Sequence, residues 1–179
     1  MAQTSDAAIV LDIENDTLRP GQSTTVTLSA AWPEHEFAMG YVWTSLETSV
    51  GSVGWSGLEL VAPMDGPGTT PGARSTAGID GIVAGQLNYC PASPYCPTMD
   101  NPIAFWRATY TAPVDVGAGF DVDLRTRTTG FEVYFAERVL ETHGYLDELV
   151  EGQATIHVVP APASALVLIG VACSGRRRR

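Results

Sequence analysis

The sequence predicts an all-β chain folded as a single antiparallel β-sandwich. Three observations predict it. Short segments rich in Val, Ile, Thr, Tyr, Phe and Trp recur along residues 7–159, several alternating apolar with polar. Clusters of Gly, Pro, Asp and Ser separate them, as turns require. No strand–helix–strand alternation occurs, which removes Rossmann-type and TIM-type cores. At 179 residues the chain suits one domain with a sizeable core.

Each element follows in order. Residues 1–6 carry no pattern and are expected to be a disordered lead-in. Residues 7–14 (AAIVLDIE) are apolar with two acids, and 18–22 (LRPGQ) hold a Pro-Gly turn signal. Residues 23–32 (STTVTLSAAW) put Thr25, Thr27 and Ser29 on one face and Val26, Leu28 and Ala30 on the other. That is the period of a half-buried strand, and the two segments together read as a hairpin or a sheet-crossing pair. Residues 37–46 (FAMGYVWTSL) have the aromatic and β-branched content of a strand, and 53–61 follow as another.

Residues 62–76 hold three prolines and three glycines and read as a long exposed loop. A short strand is expected near Ile82-Val83-Ala84. Residues 103–111 (IAFWRATYT), 120–127 (FDVDLRTR), 131–135 (FEVYF) and 154–159 (ATIHVV) are further strands. Only 137–149 has helix-like composition, and Gly144 interrupts it, so a loop with a helical turn is the other reading.

The charge distribution excludes some functions. The formal net charge is −10 and the chain contains no lysine. Four of its ten basic residues are the terminal Arg176, Arg177, Arg178 and Arg179. Without them twenty acids face six arginines, leaving fourteen net negative charges on the body. Such a body lacks the cations that nucleic-acid phosphates or an anionic lipid surface require.

No catalytic constellation can be assembled. Gly54-Trp55-Ser56-Gly57 lacks the spacing of a nucleophile elbow, and no Walker loop or dinucleotide fingerprint occurs. His35 stands between Glu34 and Glu36, His143 precedes Gly144, and His157 sits in the last strand. A loop for the first two and an edge or surface position for the third explain them better than a metal does. The acid pairs Asp121/Asp123 and Asp147/Glu148 read as solvated faces. The sequence calls for no cofactor. Cys90 and Cys96 bracket a five-residue loop with two prolines; a local disulfide is expected, with two unrelated buried thiols as the other reading. Cys173, in the apolar tail, is not read as catalytic.

The C-terminus carries the strongest signal. Pro160-Ala161-Pro162 ends the last strand, an apolar run compatible with a short hydrophobic helix follows to Cys173, and the arginines close the chain. Arginines resist translocation, so this order leaves the chain end on the cytoplasmic side and the body outside. The fifteen residues 161–175 fall short of the roughly 20 needed to span hydrocarbon. A transient span suits them better than a permanent anchor. Residues 160–179 resemble the PEP-CTERM protein-sorting signal, here with alanine in place of its glutamate. The resemblance implies an exported bacterial protein handled by an exosortase-type membrane processing enzyme, with residues 163–175 in the membrane meanwhile. Residues 1–7 contain no signal peptide, so Met1-Ala2 are expected to be the last residues of a longer leader.

In the body, the opening LRPGQSTTVTL is similar to the first strands of cohesin-like or immunoglobulin-like modules of bacterial surface proteins. That similarity implies a non-enzymatic cell-surface or matrix protein whose partner is another surface protein or a polysaccharide. A secreted carbohydrate-binding module is the second reading, with Trp32, Trp43, Trp55 and Trp106 as stacking candidates that are more often core. A secreted hydrolase using carboxylates is the third.

Overall fold

A computed structural model describes residues 6–33, 37–86, 100–135 and 142–160, with only the backbone of Phe135, Thr142 and His143. The strands are β1 (Ala8–Ile13), β2 (Thr17–Leu18), β3 (Ser23–Ala31), β4 (Phe37–Thr48), β5 (Trp55–Leu60), β6 (Ala73–Arg74), β7 (Gly78–Gly85), β8 (Ile103–Thr111), β9 (Phe120–Phe135), β10 (Thr142–Gly144) and β11 (Gln153–Val158). A smaller sheet has the order β1-β3-β8-β5. A larger sheet runs β2-β11-β9-β4-β7-β6, with β10 added along β9. All pairings are antiparallel except β2 with β11.

The expected β-sandwich is present, and alternation explains it. Val26, Leu28 and Ala30 of β3 point inward, as do Val122 and Leu124 of β9, while Thr25, Thr27, Asp121 and Asp123 point out. Val42, Leu46, Ile79, Ile82, Phe105, Trp106, Phe131 and Ile156 complete the core between the sheets. Each large aliphatic or aromatic side chain buried there contributes about 1.5–3 kcal/mol.

The opening pair is a sheet crossing. β1 pairs with β3, but the chain between them visits the larger sheet, where β2 lies parallel to β11. A parallel bridge from Ala8 to Val150 ties the two sheets again at the other end.

Three expectations change. The segments 120–127 and 131–135 form one 16-residue strand. Thr128-Thr129-Gly130 reads as a break, yet it continues the ladder through a bulge opposite Trp43 and Thr44. The segment 62–76 is largely irregular but holds the two-residue β6 and is no free excursion. Met64 is fully buried, Asp65 and Thr70 bridge to β7, and the Pro71 carbonyl accepts the Trp106 indole N–H at 2.9 Å. An unsatisfied indole donor in the core needs that carbonyl, and the loop delivers it. Finally, residues 142–149 form β10 and one 3₁₀ turn (Leu146–Glu148), so the helix-like composition yields no α-helix there. His143 accordingly lies in a strand and not in a loop.

Candidate functional site

The outer face of the larger sheet is the candidate site. β4 sends Val42 and Leu46 inward, so Tyr41, Trp43, Ser45 and Glu47 face outward on the opposite parity. β9 adds Tyr134 and Glu132, then Arg127, Arg125, Asp123 and Asp121.

Three aromatic rings lie flat on this face, and each lies over a glycine. A Cβ on Gly85 would fall 2.3 Å from the Tyr41 ring, one on Gly130 would fall 2.6 Å from Trp43, and one on Gly40 would fall 2.0 Å from Tyr134. Only glycine leaves room for rings that close to the backbone, and such pairs fix register across a sheet. Tyr41 and Trp43 stack with centroids 5.6 Å apart and planes 24° from parallel. The Tyr41 hydroxyl donates to the Pro67 carbonyl at 3.1 Å, which locks its end of the platform. Burial raises the Tyr134 hydroxyl above the usual tyrosine range, with further pushes from Glu132 and Tyr41. The platform is therefore held in place before any ligand arrives.

Next to the rings the same face turns polar. Glu47 pairs with Arg127 at 3.6 Å. Glu47, Ser49, Asp123, Arg125, Gln153 and Thr155 line an open groove of about 620 Å³. At its margin His157 Nδ1 lies 2.7 Å from Asp121, and the Thr155 hydroxyl donates to Asp123 at 3.0 Å. The hydrogen bond to Asp121, and then its charge, raise the His157 pKa above the ordinary histidine value. The acid pair Asp121/Asp123 is thus an exposed rim engaged by its neighbours on β11. Behind it, Glu151 accepts from the Thr126 hydroxyl (2.5 Å) and from the Thr128 amide (2.5 Å), which anchors the β11 approach to β9.

Of the tryptophans, Trp32, Trp55 and Trp106 are core, and only Trp43 stands on a surface. His157 is exposed on the outer face of the larger sheet, between β2 and β9, a surface position as expected. Among the described residues no group of three or more His, Cys, Asp or Glu could hold a metal ion. No helix among them is long and apolar enough to cross a membrane. Pro160 is exposed at the end of the described chain. Residues 1–5, His35, the Cys90/Cys96 pair, Ala161, Pro162, the apolar run 163–175 and Arg176–Arg179 lie outside the described residues. The sequence reading passed over Tyr41, Tyr134 and the three glycines. The available signal was parity: Tyr41 and Trp43 share a face with Ser45 and Glu47, and Tyr134 shares one with Glu132.

No protein-family model and no curated protein sequence matches the chain. Solved structures do match its fold. The seventh ScaB type I cohesin from Pseudobacteroides cellulosolvens aligns at TM-score 0.56 and 15% identity, covering 89% of this chain and 95% of that one. The cohesin module of a Clostridium perfringens family 33 glycoside hydrolase aligns at 0.53 and 10%, covering 88% and 100%. The third cohesin of ScaC from Acetivibrio cellulolyticus, solved with the ScaB dockerin, aligns at 0.50 and 8%, covering 87% and 99%. At these identities the likeness concerns the fold: the chain folds as cohesin modules do.

Proposed function

We propose that this is a non-enzymatic binding module of the bacterial cell surface or extracellular matrix, which docks another protein on the outer face of its larger sheet. The observation that carries this reading is the pre-set aromatic platform beside two arginines. Trp, Tyr and Arg are the residues that dominate protein–protein binding energy, and rings already fixed in place lose little entropy on docking. An aromatic surface with no core function marks an interaction site. One structural relative was solved with a dockerin bound, so a small protein module is a reasonable class of partner.

In this proposal the C-terminal residues 160–179 act as a sorting signal. The exosortase-type enzyme acts near Pro160-Ala161-Pro162 while the arginines hold the chain end inside. Intact mass of the native protein tests that part. A mature form ending near Pro162 is expected; a chain still ending in four arginines refutes it.

The docking part is tested by comparing capture from the host's envelope fraction. Wild type and a Thr25→Ala/Thr27→Ala control should retain a common protein that Tyr41→Ala/Trp43→Ala loses. Equal capture by all three contradicts the proposal. The flat rings also favour a second reading, sugar stacking. A glycan array that loses signal only with Trp43→Ala would establish that reading in place of the first.

A further inference from the structure

The body has two unlike ends, and the chain leaves from one of them. The turn 19–22 joins β2 to β3, and loop 112–119 joins β8 to β9 at the same end. Close contacts knit them: the Gly21 amide donates to the Ala112 carbonyl at 3.1 Å, and the Val159 amide to the Leu18 carbonyl at 2.8 Å. Loop 49–54 arrives there too, because the Thr111 amide donates to the Gly54 carbonyl at 2.9 Å. Pro160 exits beside Gly119, where a Cβ would fall 3.2 Å from the proline ring.

This exit end carries the two most exposed large apolar side chains among the described residues. They are Val53, 68% exposed, and Val114, 74% exposed, each at a loop tip. Val159, 36% exposed, stands at the exit itself. The exit-end loops, crossover and adjoining strand ends hold Glu14, Asp16, Glu47, Asp115, Asp121 and Asp123 against Arg19 and Arg125. The far end carries acids as well, together with the exposed apolar side chains of Leu146 (46%) and Val150 (53%). Asp6, Asp65, Asp100, Glu132, Asp147 and Glu148 lie there, with no arginine in those segments among the described residues. Beyond Pro160 come two residues and then the apolar run 163–175.

We propose that the exit end is a membrane-contacting foot: while the tail is inserted, Val53 and Val114 rest in the headgroup region of the bilayer. The inference rests on reading residues 160–179 as a membrane-inserted sorting signal. A two-residue tether leaves the body no room to stand away from the bilayer. The end it ties down is the exit end, whose loop tips carry the two most exposed apolar side chains among the described residues. Both ends carry acids, so the tether, and not charge, is what turns the far end outward. The posture also presents Pro160-Ala161-Pro162 at the surface, within reach of a membrane enzyme, and leaves the aromatic face upright and accessible.

The test uses the full chain with vesicles of phosphatidylethanolamine and phosphatidylglycerol in which part of the lipid is brominated. Tryptophan is placed by Val53→Trp, Val114→Trp and, as a far-end control of similar exposure, Val150→Trp, and the wild-type signal is subtracted. Bromolipid should quench the first two several-fold more than the third, and a chain truncated after Pro160 should lose that quenching. A full chain that co-floats with vesicles but shows equal quenching at all three sites, or none, overturns the foot alone. A full chain that does not co-float overturns the tail reading and the foot with it.

Discussion

The two sheets meet solvent in different ways. The smaller sheet shows water a small-residue, hydroxyl-rich face, with Thr25 paired to Thr109 and the Ser23 and Thr111 hydroxyls 2.8 Å apart. Arg107 and Glu59 pair on the same face. The larger sheet shows Tyr41, Trp43 and Tyr134, seated over Gly85, Gly130 and Gly40. Both sheets bury apolar inner faces in one core, so the core itself does not require the difference. A sandwich needs a core, and hydroxyls suffice outside it. The rings outside, seated over three glycines in strands, are the surface on which we propose that a partner docks.

Exchanging one tryptophan on each side of that divide gives the largest contrast. Trp106→Ala removes a core side chain and should cost about 3–5 kcal/mol. The melting temperature should fall by about 2–4 °C for each kcal/mol. Trp43→Ala should cost far less stability yet abolish partner capture. Equal destabilisation by both would make Trp43 a structural residue and dissolve the contrast.

Gly130→Val comes next. Its Cβ would meet the Trp43 ring at 2.6 Å, so the ring must lift. Overpacking of this kind costs about 1–3 kcal/mol. The near-ultraviolet circular dichroism of the stacked Tyr41/Trp43 pair should change, and capture should weaken with the indole still present. The opposite face provides the mirror test: Thr25→Val with Thr27→Val should stay within about 0.5 kcal/mol of wild type and leave capture intact.

The smallest effect concerns His157. Its pKa is raised in the folded protein, mainly by the hydrogen bond to Asp121. The pair's contribution to stability is therefore fully present below the unfolded value of 6.5 and fades as pH rises through the folded one. The imidazole is half exposed and well solvated, so the pH dependence should be slight. An NMR titration should place His157 above the ordinary value and lower it towards that value in Asp121→Asn.

Much of this fold was legible in the pattern of side chains. Segments with strict alternation, such as Thr25 to Ala30 and Phe120 to Arg125, form strands with the faces expected. Legibility failed where a residue's meaning depended on a distant partner. Thr128-Thr129-Gly130 reads locally as a turn, but Trp43, 87 residues away in sequence, needs a glycine opposite it and β9 runs on. Pro71 in a Gly/Pro-rich segment reads as free loop, because nothing local shows that the Trp106 indole requires its carbonyl. Glu137 to Leu149 has helical composition, yet Tyr145 goes into the core against Phe131 and residues 142–144 pair with β9. The candidate site was half legible. The outward parity of Tyr41 and Trp43 was readable, whereas their convergence with Tyr134 across two strands was not.

The most direct measurement places a photo-cross-linking residue at Ser45, on the outer face of the larger sheet, and separately at Thr27, on the outer face of the smaller one, and irradiates the native host cells. A discrete adduct of one protein's mass from Ser45, absent from Thr27 and lost when Tyr41 and Trp43 are both alanine, is the predicted result. Adducts of equal yield from both faces, or adducts from Thr27 alone, would contradict it.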